Sequence, residues 1–287
     1  MTLPSVCPLC ASDGGRLSWL RGVHYNAQVF DYVECHACHS LTCSPAPDAA
    51  TLERMYGLTY AADVACGLAG EVTDPKHPEW VLDTLRGLPP GTFVDYGCGG
   101  GQLLLAARQM GWRAVGVEYA PAVARQVQQS TGVRVCTAPA AELAHSADVV
   151  HLGDVIEHLV HLDRDFQSVL RLLKPGGYVI AQGPLENNFT LFSQVIRWVR
   201  GLRRTPVAMA PYHVLLATWT GQRRFFERFG LRAVDYRLSE ESWPAPARFV
   251  AMPRSAALYL LRWLSQHVSP LLAKEAGNRY FYVGRKR

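Results

Sequence analysis

The stretch "VDYGCGGG", residues 94–101, sets four glycines behind one carboxylate, Asp95. The apolar run "TFV" leads into it, and "QLLLAARQMG" follows with apolar positions at helical spacing as far as Gly111. A strand, a glycine turn and a helix in that order put backbone amides and a helix N-terminus where a nucleotide binds. Two familiar nucleotide loops are excluded by spacing. A G-x-G-x-x-G fingerprint begun at Gly97 would end on Gln102, and no G-K-[ST] follows.

Strands and helices continue to alternate outward from the turn. "RAVGVEYA" reads as the next strand, Pro121 opens the helix "PAVARQVQQSTG", and "VRVCTA" and "ADVVHLG" read as strands. A helix from about Asp163 to Leu173, the turn "KPGG" and the strand "YVIAQG" complete the pattern. This alternation predicts an α/β fold with a parallel sheet covered on both faces, its ligand lying beyond the C-terminal strand ends. Glu118 ends the second strand, where a carboxylate accepts hydrogen bonds from both ribose hydroxyls of a nucleoside.

Together, "VDYGCGGG", Glu118, "DVVHLGDVIEHL" and "LLKPGGYVI" resemble the successive motifs of class I S-adenosylmethionine-dependent methyltransferases, over about residues 78–184. The resemblance implies a Rossmann-like seven-stranded sheet whose last two strands, "LRAVDYRLSE" and "NRYFYVGRKR", form a hairpin. It implies S-adenosylmethionine as cofactor, with Asp95, Gly97, Cys98, Gly99, Gly101, Glu118 and Gly153 around it. Asp95 would anchor the turn or meet the amino-acid end of the ligand. The helix "TWTGQRRFFERFG" would precede the hairpin, and residues 185–217 and 254–275 would form a substrate cover or helical insertions.

Cys7-Pro-Leu-Cys10 and Cys35-His-Ala-Cys38 are two C-x-x-C knuckles, the pattern of a structural zinc ribbon. His39 and Cys43 are close enough to substitute as a ligand, whereas Cys66, Cys98 and Cys136 read as small buried residues. We place a small N-terminal zinc ribbon at 1–48, a linker and helix at 49–77, and the methyltransferase domain at 78–287. A zinc module fused ahead of this fold resembles bacterial methyltransferases of sugar, polysaccharide and natural-product pathways.

Candidate catalytic groups follow the fourth strand: His151, Asp154, Glu157, His158 and His161. Asp154, Glu157 and His158 are similar to the acidic-x-x-E-H motif of ubiquinone-type O-methyltransferases, linked there to a divalent metal. Spaced four apart, Asp154 and His158 would share one helical face. His213 beside Tyr212 is the other candidate acid or base, and Glu186, Asn187 and Asn188 are candidates for binding a polar substrate. In residues 189–204, Phe192, Val195, Ile196 and Val199 form an apolar stripe beside Arg197, Arg200, Arg203 and Arg204. That pattern suits a cap helix with a solvated basic edge, or a peripheral membrane contact.

Hydrophobic content of 49% with 18% charge describes a globular protein, and a net charge of +5 is mild. The N-terminus has no signal-peptide pattern, and residues 256–272 are too interrupted to span a bilayer, so a cytoplasmic protein is expected. Three function classes follow. The first is methylation at oxygen or carbon of a small polar metabolite or glycan. The second is an RNA methyltransferase, for which Cys35 and His39 offer a C-x-x-x-H pair, but the chain lacks an N/D-P-P-Y motif and a basic aromatic platform. The third is a non-catalytic S-adenosylmethionine-binding protein.

Overall fold

The computed structural model describes residues 6–56, 79–203, 211–241 and 253–287. Cys66, Arg204 and most of the expected linker lie outside the described residues, whereas the helix Ala49–Tyr56 opens that segment as expected. In chain order the strands are β1 (Gly15–Leu17), β2 (Val23–Tyr25), β3 (Gln28–Cys35), β4 (Leu41–Ser44), β5 (Thr92–Tyr96) and β6 (Arg113–Val117). They continue as β7 (Val135–Cys136), β8 (Ala147–Gly153), β9 (Leu173–Pro184), β10 (Leu215–Leu216), β11 (Leu231–Ser239) and β12 (Arg279–Lys286). The chain forms two compact units, one of residues 1–46, 182–229 and 236–281, the other of 47–181, 230–235 and 282–287.

Within the first unit, a small sheet runs β1-β3-β4-β10, with β2 on β3. The N-terminal residues thus do not form a unit of their own, as the division at residue 48 supposed. The reason is pairing remote in sequence: Leu41 and Thr42 of β4 face Leu216 and Leu215 of β10. Just beyond β10, Thr218 donates to the Cys38 carbonyl at 2.6 Å, and its own amide donates to Ser40 Oγ at 3.0 Å. Thr218 also caps the helix Trp219–Arg228 by accepting from Gly221 N–H at 3.1 Å. Leu9, Phe30, Leu41, Trp219, Phe225, Phe226 and Tyr280 are buried in this unit.

The expected helical insertion is present as Pro253–Leu272. Its Ser265 and Ser269 hydroxyls accept from the first amides of the helix Leu191–Arg203, at Phe192 (2.8 Å) and Leu191 (2.9 Å), groups that a helix start leaves without intrahelical partners. Arg197, expected on a solvated basic edge, is instead partly buried with its guanidinium 5.8 Å from the Trp19 ring centre, and burial lowers its pKa. Trp198 is the exposed residue beside it. Among the described residues, no helix is long and apolar enough to cross a membrane.

The larger sheet has seven strands in the order β11-β12-β9-β8-β5-β6-β7, and β11 and β12 are neighbours at its edge, where the terminal hairpin was expected. Within the second unit, β5 pairs in parallel with both β6 and β8, and β6 with β7. Pro121 stands at the first position of its helix and Gly132, at φ 64°, caps the end, as the sequence pattern predicts. "KPGG" belongs to β9 rather than to a separate turn, because strand pairing begins before Gly176. Val81, Leu85, Phe93, Leu104, Ala107, Trp112, Val127, Val149 and Ile180 fill the core. At the N-terminal strand ends, the Asp148 carboxylate accepts from Thr92 N–H (2.7 Å) and Lys174 Nζ (2.7 Å), tying β5, β8 and β9 together.

Phe93 is fully buried between the helices and the sheet and meets the Trp112 ring edge-on at 6.4 Å. Phe93→Ala is expected to lower stability by about 3–5 kcal/mol, measured by urea denaturation. A loss below ~1 kcal/mol would mean that the core does not form around this strand.

Candidate functional site

The glycine turn is held by the end of the neighbouring strand. Gly97 N–H and Cys98 N–H both donate to the Val117 carbonyl, at 2.7 and 3.1 Å. Gly97 adopts φ 80°, and a Cβ there would come within 2.5 Å of Val155, so only glycine fits. At Gly101, φ is 77° and a Cβ would lie 2.5 Å from Val127, on the next helix. Gly99 differs: a Cβ there would meet no heavy atom within 4 Å.

Glu118 follows β6 and reaches back over the turn. Its Oε2 accepts from Gly99 N–H and its Oε1 from Ala120 N–H, both at 3.1 Å. Burial raises its pKa, and those two backbone bonds oppose the shift. Asp95, on β5, is buried and receives a 2.7 Å hydrogen bond from His151 Nδ1 of β8. Cys98 is buried as expected, whereas Cys136, at a strand end, is partly exposed.

Beyond β8, which ends at Gly153, the structure departs from the sequence reading. Asp154 is exposed with a left-handed backbone at φ 53°, and only a short 3-10 turn, Ile156–His158, follows. Asp154 and His158 therefore do not share a helical face. The carboxylate beside His158 belongs to Glu157, which is buried and 4.0 Å from His158 Nε2. On the other side, the Tyr56 hydroxyl lies 2.9 Å from His158 Nδ1, with the two rings edge-to-face. Tyr56 was not singled out in the sequence, since 102 residues separate the partners. His161 is exposed at the start of the helix Leu162–Leu172.

In the first unit, His213 Nδ1 lies 2.7 Å from the Glu186 carboxylate, and the His213 carbonyl accepts from Tyr32 Oη at 2.7 Å. Asn188 is committed to structure rather than to substrate: its amide donates to the Glu275 and Gly277 carbonyls, and its oxygen accepts from Trp219 N–H. Asn187 is likewise buried and donates to the His39 carbonyl.

The four knuckle sulfurs converge. Cys7 and Cys38 Sγ are 3.7 Å apart, Cys10 and Cys35 Sγ are 3.6 Å apart, and all four lie within 4.8 Å of one another. Contact with Cys7 holds the Cys38 thiol down at about 5, and the same contact pushes Cys7 well up. The two alternative ligands are excluded from the cluster. His39 is largely exposed and paired to Glu34 at 3.0 Å, while Cys43 faces the Pro45 carbonyl and burial pushes its thiol up to about 12.

The methyltransferase domain family matches residues 76–236, more than half of the chain. The ubiquinone biosynthesis O-methyltransferase of Pseudomonas paraeruginosa is 37% identical over 115 residues, covering 37% of this chain and 49% of that protein. Its Brucella ovis counterpart is 26% identical over 202 residues, covering 65% of this chain and 76% of that protein. The chain thus spans about half the length of the first of these relatives. The complex of the Haloferax volcanii Trm112 methyltransferase activator with a methyltransferase contains a chain of similar fold, at TM-score 0.50 and 16% identity, covering 79% of this chain and 96% of that one. The glycine turn, the strand-end carboxylate and the seven-stranded order agree with the family match: the chain belongs to the methyltransferase domain family.

Proposed function

We propose that the protein methylates a hydroxyl of a small polar metabolite, sugars included. The observation that carries the cofactor site is the Glu118 carboxylate, fixed over the turn by Gly99 and Ala120. Gly97, Gly101 and Cys98 shape the backbone that faces the nucleoside, and Asp95 and Gly153 border it on neighbouring strands. The residues fit the group: Gly99 has an open side, and the buried imidazole of His151 has a nitrogen without a partner among the described residues. Oxygen as the acceptor atom is supported by the relatives named for ubiquinone O-methylation.

Methyl transfer to a hydroxyl breaks a sulfonium C–S bond, forms a C–O bond and releases one proton. The protein must therefore align the hydroxyl, exclude water and take the proton. We assign the proton to His158, which shares a compact unit with the glycine turn and is flanked by Tyr56 and Glu157. The Glu157 carboxylate would stabilise the imidazolium that forms. His213, oriented by Glu186, is the rival assignment. Asp154 is left as a residue that shapes the loop.

The four-cysteine cluster is assigned to a structural zinc ion. Tetrahedral ligation with Zn–S bonds of about 2.3 Å places sulfurs roughly 3.8 Å apart, close to the 3.6 and 3.7 Å separations of the two cysteine pairs. The RNA reading loses its C-x-x-x-H pair, since His39 is engaged by Glu34.

Incubation with methyl-labelled cofactor and a cell extract, with and without nuclease treatment, should label an organic-soluble or small-molecule fraction. Label that disappears with RNase would overturn the reading in favour of RNA, and no transfer despite cofactor binding would mark a binding protein. Glu118→Gln should weaken cofactor binding by about 1.5–3 kcal/mol, or ten- to a hundredfold, in calorimetry. Wild-type affinity should fall as pH drops through the raised Glu118 pKa, above the ordinary carboxylate range, and the variant should lose that limb. His158→Ala is expected to reduce kcat by about 10²–10⁴-fold with KM for the cofactor little changed; the same pattern in His213→Ala alone would transfer the role. One zinc per chain is expected by elemental analysis. Cys35→Ser should lose the ion together with thermal stability of the unit that contains it, and a metal-free wild-type chain of full stability would refute the assignment.

A further inference from the structure

Asp95 and His151 are register partners on the parallel strands β5 and β8, so both side chains leave the sheet on the same face. Asp95 Oδ1 and His151 Nδ1 are 2.7 Å apart, and the two side chains are 5% and 6% exposed. The Phe93 ring stacks on the imidazole at 6.4 Å and 25°, fixing its plane. With the proton on Nδ1, facing the carboxylate, an uncharged ring presents Nε2 as a lone-pair acceptor. That Nε2 is buried and has no hydrogen-bond partner among the described residues.

A buried acceptor left unmatched lowers stability, and an apolar pair at these two register positions would pack without that cost. The arrangement is explained if the missing donor arrives with a ligand. Asp95 lies two residues before Gly97, on the strand that delivers the turn.

We propose that His151 is a positioning residue for the cationic amino-acid arm of the cofactor. Its Nδ1–H orients the Asp95 carboxylate, and its Nε2 accepts a hydrogen bond brought by the cofactor's ammonium group, directly or through one water. The proposal rests on the reading that the glycine turn binds S-adenosylmethionine.

The test compares two ligands on the full-length chain: S-adenosylmethionine, and 5′-methylthioadenosine, which keeps the nucleoside and lacks the amino-acid arm. Wild-type protein that binds neither overturns the cofactor reading and this proposal together. Given wild-type binding, His151→Leu should weaken S-adenosylmethionine at least about tenfold and leave methylthioadenosine within about twofold. His151→Asn, which keeps a donor near the place of Nδ1, should recover part of the loss. Equal loss of both ligands with a lowered melting temperature would show a purely structural role, and unchanged affinity for both would show none; either overturns the proposal while the cofactor reading stands. Nitrogen NMR of labelled histidine supplies the second readout. The Nε2 resonance of His151 should move with S-adenosylmethionine and not with methylthioadenosine, and an unmoved resonance refutes the acceptor role.

Discussion

One carbonyl carries the glycine turn. Val117 ends β6, and its oxygen accepts from both Gly97 and Cys98, so the chain leaving β5 is hooked onto the neighbouring strand before the next helix starts. The next residue, Glu118, then returns its carboxylate to Gly99. Two successive residues of one strand end thus fix three successive residues of the turn. The backbone must take positive φ and pass within a methyl group's reach of Val155 and Val127, which side chains other than hydrogen do not permit. The entry angle of the helix Gln102–Gln109 and the placement of Glu118 depend on this hook, and so would the position of the proposed cofactor.

The smaller sheet solves a different problem. Its strands are short and its elements come from segments far apart in sequence, so no single local run supplies a core. Polar groups do part of the joining: Ser40 and Thr218 exchange hydrogen bonds at a buried position, and Thr218 caps the following helix with the same hydroxyl. Gly221, in the first turn of that helix, lies so close to Ser40 Oγ that a Cβ would sit 2.2 Å from it. Four sulfurs converge in the same unit, and the proposed zinc ion would constrain two knuckles at once.

The features legible in the sequence are those with a local signature. The glycine turn, Glu118, the alternation of strands and helices, Pro121 and Gly132 at helix ends, and the two knuckles each depend on residues a few positions apart. What was not legible depends on distance or on backbone. β10 meets β4 across some 170 residues, which joins the N-terminal strands to a later segment and defeats a boundary read from composition. Asp154 does not share a helical face with His158, because its φ of 53° ends the helical spacing assumed for the two. Arg197 is partly buried, its guanidinium over an aromatic ring that sequence spacing could not place there. Tyr56 acquired interest only through the imidazole it touches, whereas Glu186, read from sequence as a candidate for binding a polar substrate, lies beside His213.

The charge balance around the turn completes the chemical logic. In the proposed cofactor site Asp95 and Glu118 would be two carboxylates near a cationic ligand, and only a few residues away Cys98 is a potential nucleophile. A thiolate beside a sulfonium methyl group would itself be methylated. Burial pushes the Cys98 thiol up, and the negative charges of Asp95 and Glu118 push it further in the same direction. Cys98 also packs down against β6, where a Cβ on Gly116 would come within 2.8 Å of its sulfur. The carboxylates proposed to attract the cofactor thus also hold the Cys98 thiol towards its protonated, inert form. On that proposal, once the methyl group leaves, the sulfur becomes neutral and one source of attraction to these carboxylates is lost, which weakens the hold on the product.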